Sequence, residues 1–112
     1  MMKNFKLFKN YLYYSETDDN LLHEYQTHIQ DESYRAYINM LLGRVSHKSI
    51  KTPVLVIGGT NDHIFKVKHQ KKLVSKLPQA ESKIFDNTGH NMMLEKNWSL
   101  IADKMITWLE IN

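Results

Sequence analysis

Asp62 and His90 are the residues of this sequence whose types and setting can do chemistry. Asp62 closes the run K-T-P-V-L-V-I-G-G-T-N-D, and His90 stands in N-T-G-H-N-M-M-L-E after a second short apolar stretch. Both lie within residues 51–95, around which the rest of the chain is organised. Two strands that end in such loops can deliver a carboxylate and an imidazole to one edge of a sheet, which is equipment for acid–base chemistry. The plainer alternatives are an Asx-turn aspartate at Asp62 and a backbone-satisfied turn histidine at His90.

The elements that must position the two follow from pattern. Val54, Leu55, Val56 and Ile57 form an unbroken apolar run after Pro53, which predicts a strand covered on both faces, as in a parallel sheet. Gly58 and Gly59 are expected to let the backbone leave the sheet sharply. Residues 67–77 predict a helix with Val67, Val74 and Leu77 inward, stopped by Pro78. Its lysines, 66, 68, 71, 72 and 76, read as a solvated outer face rather than a phosphate patch. Residues 82–85 predict a second strand and 86–90 a turn. Trp98, Ile101, Ala102, Met105, Trp108 and Leu109 mark a final amphipathic helix. Strand, helix, strand, helix is the rhythm of a parallel α/β unit.

Upstream, two helices are predicted: one from Asp18 to about residue 30, with Asp18, Asp19 and Asn20 able to cap it or complement its dipole and Leu21, Leu22, Tyr25 and Ile29 on one stripe, and one beginning at Asp31, Glu32 and Ser33, where Asp31 or Ser33 can cap. The second carries Tyr34, Tyr37, Ile38, Leu41 and Leu42 and ends at Gly43. Residues 5–14 mix aromatics with lysines in no clean period and read as a segment packed on something larger. His23 and His28 are about 140° apart around a helix and read as surface residues rather than a metal pair.

Composition narrows the class. The chain has 112 residues, 42% hydrophobic and 24% charged, which predicts folded structure within one domain. A net charge of +3, with the basic residues scattered and no groove-reading motif, argues against a nucleic-acid partner. The absence of cysteine excludes disulfides and thiolate metal sites. No stretch is long and apolar enough for a membrane span, no signal peptide is read at the start, and a cytoplasmic location is expected. No cofactor and no metal is expected; a metal site built from Asp62, His63, His69 and His90 matches no known ligand spacing.

The run I-K-T-P-V-L-V-I-G-G-T-N-D-H-I-F, followed by N-T-G-H-N-M-M-L-E-K-N-W-S-L-I-A-D-K-M-I-T-W-L, resembles the C-terminal part of α/β-hydrolase fold proteins, nearest the esterase, lipase and lysophospholipase-like group. The resemblance covers residues 50–109, and the helix opening at Ser33 is similar to the last cap helices of the same group. It implies an α/β fold in which residues 1–49 form a cap-like helical segment, and residues 50–112 form the C-terminal segment with parallel strands. It also implies that Asp62 is the triad acid and His90 the triad base, and that Met92 and Met93 line an acyl pocket or fill core. One departure matters for mechanism. The family's nucleophile sits in Gly-x-Ser-x-Gly, yet none of the four glycines here stands two residues before a serine. Ser15, Ser33, Ser46, Ser49, Ser75, Ser82 and Ser99 all lack the motif. The expectation is therefore a C-terminal piece of a serine hydrolase acting on carboxylic esters, lipid-like ones included, truncated or split and inactive alone. The alternative is a non-catalytic module that pairs with a complementary N-terminal fragment or with itself.

Overall fold

The computed structural model describes residues 4–30 and 33–112. Asp31, offered above as a cap, lies with Glu32 outside the described residues. In chain order the elements are helices α1 (Phe5–Leu12), α2 (Asp19–Thr27) and α3 (Tyr34–Leu42), a 3-10 turn at His47–Ser49, strand β1 (Val54–Gly59), helix α4 (Val67–Val74), strand β2 (Ala80–Phe85), a 3-10 turn at Met92–Leu94, and helix α5 (Trp98–Ile111).

Local chemistry sets the helix starts. Asn4, Asp18 and Ser33 each accept a hydrogen bond from the backbone N–H three residues on, at 3.2, 3.0 and 3.4 Å, satisfying donors that the first helical turn leaves free. Residues 5–12 are helical after all. Phe5, Phe8 and Leu12 are spaced i, i+3, i+7 and share a face, with Leu7 and Tyr11 turned outward; the interleaved lysines hid this period. Phe8, Tyr13 and Leu22 are buried together, with Phe5, Leu12, Tyr25 and Ile29 packed around them. Lys9 bridges α1 to α2 by donating to the Thr17 carbonyl at 3.2 Å and pairing with Asp19. His23 and His28 are exposed, His23 stacked on Phe5.

The two strands are parallel neighbours, paired from Val54 with Ala80 to Gly59 with Phe85. α4 crosses between them and packs on both. The ladder continues beyond the strands: Val54 N–H donates to the Gln79 carbonyl, Thr60 N–H to that of Phe85, and Asn61 N–H to that of Thr88. In-register strands thus bring the 60–65 and 86–91 loops side by side.

The structure corrects three expectations. Gly58 and Gly59 do not turn out of the sheet; both lie inside β1, neither with positive φ. They are required for close approach, because a Cβ on Gly59 would sit 2.1 Å from the Thr88 carbonyl oxygen and one on Gly58 inside the Gln70 side chain. The apolar run of β1 is only half-buried, since β2 is the one strand paired with it among the described residues. On α5 only Ile101 is buried, while Trp98, Met105 and Leu109 of the expected stripe are exposed.

The chain is accordingly open. Its accessible surface is 8592 Å², against about 6450 Å² for an ordinary folded monomer of this mass. The radius of gyration is 15.7 Å, against roughly 13 Å for a compact domain of the same length. The exposed apolar side chains gather on α3 and α5, where Tyr34, Leu42 and Ile111 are more than three-quarters exposed.

Two substitutions test the packing. Gly59→Ala should destabilise the chain by about 1–3 kcal/mol, because the obstacle at Thr88 is backbone and cannot rotate away. Leu22→Ala should cost about 2–5 kcal/mol from the fully buried cluster. Urea denaturation of both against the parent chain checks them; a Gly59→Ala chain as stable as the parent would refute the close approach.

Candidate active site

The site forms where the two loops meet beyond the carboxyl ends of β1 and β2. Asp62 sits three residues past the end of β1 and is 5% exposed. Such a buried carboxylate needs several donors. Its Oδ1 accepts from the N–H groups of Ile64 and Phe65, each at 2.8 Å, an Asx-type turn that fixes the side chain on its own loop. Its Oδ2 lies 3.0 Å from Nδ1 of His90. The turn aspartate and the imidazole partner are therefore the same residue using different oxygens.

His90 is half-buried, with the Phe65 ring tilted against it at 5.6 Å between centroids. With Nδ1 facing a carboxylate, the neutral ring carries its proton there, and Nε2 is left with its lone pair. No described residue hydrogen-bonds Nε2, and no described serine reaches the ring. Chemically this is a half-exposed base whose tautomer and orientation are set by a buried acid.

Two buried residues that pattern did not single out support the loops. Gln70, on α4, is 6% exposed and donates from Nε2 to the Phe65 carbonyl at 3.0 Å, holding the Asp62 loop against Gly58. A polar residue on the lysine-rich helix gave no apolar signal, although Val67, Gln70 and Val74 do recur at i, i+3, i+7. Glu95 is 3% exposed, and its Oε1 accepts from Gly89 N–H at 2.9 Å and from Tyr14 N–H at 2.8 Å. Burial pushes its carboxyl above the usual range, and the two backbone donors only partly offset that. In the same loop Thr88 is fully buried, donating to the Asp86 carbonyl at 2.9 Å and accepting from Asn97 at 2.6 Å.

Other candidates fall elsewhere. His63 and His69 are exposed, and among the described residues no three His, Asp or Glu side chains are grouped closely enough to hold a metal ion. Met93 is 64% exposed and fills no core. An open cleft of about 1020 Å³ is lined by Tyr14, Asp18, Tyr25, Glu95 and Trp98 among others, and by neither Asp62 nor His90. Among the described residues no helix is long and apolar enough to cross a membrane.

Glu95 makes stability depend on pH with a definite sign. Its carboxyl ionises at a higher pH in the folded chain than in the unfolded one, whose ordinary value is 4.5, so the folded state keeps a proton the unfolded state has lost. Its contribution to stability therefore falls as pH rises from about 4.5 through the folded-state value, and stays lowered above it. Glu95→Gln keeps an acceptor oxygen and removes the charge. Its stability relative to the parent chain, from urea melts at pH 4 to 8, should rise across that window. A difference that does not grow with pH refutes the burial argument.

No curated protein matches the chain. A family model described as the alpha/beta hydrolase fold matches residues 6–97. The match takes in the N-terminal helices, β1, β2 and the histidine loop, so it reaches well upstream of the residues on which the resemblance of the sequence rested. Matched over 92 of 112 residues, the chain belongs to the α/β-hydrolase fold family.

Proposed function

We propose that Asp62 and His90 are the acid and base of a serine hydrolase acting on carboxylic esters, lipid-like ones included, and that this chain is the C-terminal part of such an enzyme. One observation carries the reading: a 3.0 Å contact from Asp62 Oδ2 to His90 Nδ1, made by loops at the carboxyl ends of adjacent parallel strands, with Nε2 left over. In the complete site, Nε2 takes the proton of a serine hydroxyl as its oxygen attacks the acyl carbonyl, and Asp62 stabilises the imidazolium. The same proton passes to the departing alcohol, and water, activated by the same nitrogen, then releases the acid. Residues 1–49 serve as the cap-like segment and residues 50–112 carry the acid and the histidine. The absence of cysteine is in keeping with a reducing cytoplasm.

The chain contributes no Gly-x-Ser-x-Gly elbow, so in this reading the nucleophile and the oxyanion donors come from a separate N-terminal part. The half-buried β1 and the excess exposed surface support that division. The same surface favours the second reading, a non-catalytic module that pairs with such a part or with itself.

Pure chain mixed with a short-chain chromogenic ester should show no turnover above buffer, and a serine-directed fluorophosphonate should leave it unlabelled. Clear turnover or covalent labelling overturns the division of the site. The reading frames just upstream of the coding sequence offer an independent check: a Gly-x-Ser-x-Gly segment there supports the hydrolase reading, and an unrelated gene counts against it.

A further inference from the structure

The neighbours of His90 on both sides are tied to the N-terminal segment. On one side, Gly89 N–H donates to Glu95 Oε1, which also accepts from Tyr14 N–H. On the other, Asn91 N–H donates to the Leu12 carbonyl at 2.8 Å, and its side-chain amide donates to the Tyr13 hydroxyl at 3.0 Å. Residues 12–14 thus form a strap across the histidine loop. The fit is close, since a Cβ on Gly89 would meet the Tyr13 backbone at 2.6 Å and Glu95 Oε1 at 2.7 Å. Among the described residues Glu95 is the one side chain joined to both strap and loop by hydrogen bonds from backbone N–H groups, and Gly89, Tyr13 and Glu95 are all buried.

We propose that Glu95 is a positioning residue for His90, clamping the strap at Tyr14 to Gly89 so that the imidazole keeps Nδ1 on Asp62. Without the Glu95 carboxylate, two backbone N–H groups, that of Gly89 buried and that of Tyr14 part-buried, lose their acceptor together, and the loop must shift to find others. His90 follows directly on one of them. Because its Nδ1 contact spans 3.0 Å, a displacement of about an ångström breaks it. Glu95 touches no reacting atom and acts only through the loop. The inference rests on the reading of Asp62 and His90 as a working pair, and its test separates the two.

The full chain, with ¹⁵N-labelled histidine, is observed by long-range ¹H–¹⁵N correlation at pH 8, with His90 assigned from the signals lost in His90→Gln. The parent chain should show His90 as the Nδ1–H tautomer. In Glu95→Ala, and in Glu95→Asp, which is too short to reach both donors, the ratio of Nδ1–H to Nε2–H should fall about tenfold, from the loss of two ordinary hydrogen bonds. Glu95→Gln, which keeps an acceptor oxygen, should retain the parent tautomer, a rescue that a merely stabilising role does not require. A folded Glu95→Ala or Glu95→Asp chain with the parent ratio overturns the proposal and leaves the pair intact. A parent chain without the Nδ1–H tautomer overturns the pair and the proposal with it. Should both variants fail to fold, the parent chain decides in a urea series: the His90 signal should vanish along with exchange protection of the Tyr14 and Gly89 amides, and a signal outlasting them refutes the clamp.

Discussion

Asp62 is 5% exposed, a carboxylate whose burial is costly unless hydrogen bonds offset it, and much of the α/β part of this chain bears on how they are supplied. Its own loop supplies two N–H donors to one oxygen. The other oxygen takes its partner, His90 Nδ1, from a second loop at the same sheet edge. Parallel pairing of β1 with β2 in register from Val54–Ala80 to Gly59–Phe85 puts that loop in place. The glycines at the end of β1 then let the loops close to contact, and Gln70 holds the Asp62 turn from behind.

Glu95 repeats the device on the histidine side. Each buried carboxylate collects two backbone N–H groups on one oxygen, but Asp62 gathers them from one turn and Glu95 from segments 75 residues apart, Tyr14 and Gly89. Asp62 spends its second oxygen on His90. The second oxygen of Glu95 has no hydrogen-bond partner among the described residues, in keeping with the upward push that burial gives its carboxyl. One carboxylate orients the ring and the other fixes the backbone that carries it.

Much of this was legible in the sequence because it is written in local terms. Caps at Asp18 and Ser33, the β-branched run at Val54–Ile57 and the loops bearing Asp62 and His90 are patterns of neighbours, and the family match agrees with the fold they imply. What pattern reading missed is non-local or polar. The helix over residues 5–12 buries one aromatic stripe whose period was masked by lysines, and the glycines of β1 answer to Thr88 and Gln70, far away in sequence. Gln70 and Glu95 are buried polar residues, which hydrophobic periodicity cannot single out. The coverage expected for β1 and α5 failed for a different reason. Apolar patterning states what a surface requires, and here the described residues meet that requirement only in part.

The strap also sets an order of assembly. The contact from Tyr14 to Glu95 closes 81 residues of chain, whereas that from Asp62 to His90 closes 28. By loop-closure entropy the longer contact costs about 1 kcal/mol more to form, before any packing offsets it. The β1–α4–β2 unit, with its shorter connections, can therefore bring Asp62 and His90 near each other before the contact from Tyr14 to Glu95 closes. By this reckoning the surroundings of His90 are completed through a contact to residues that lie far from it in sequence.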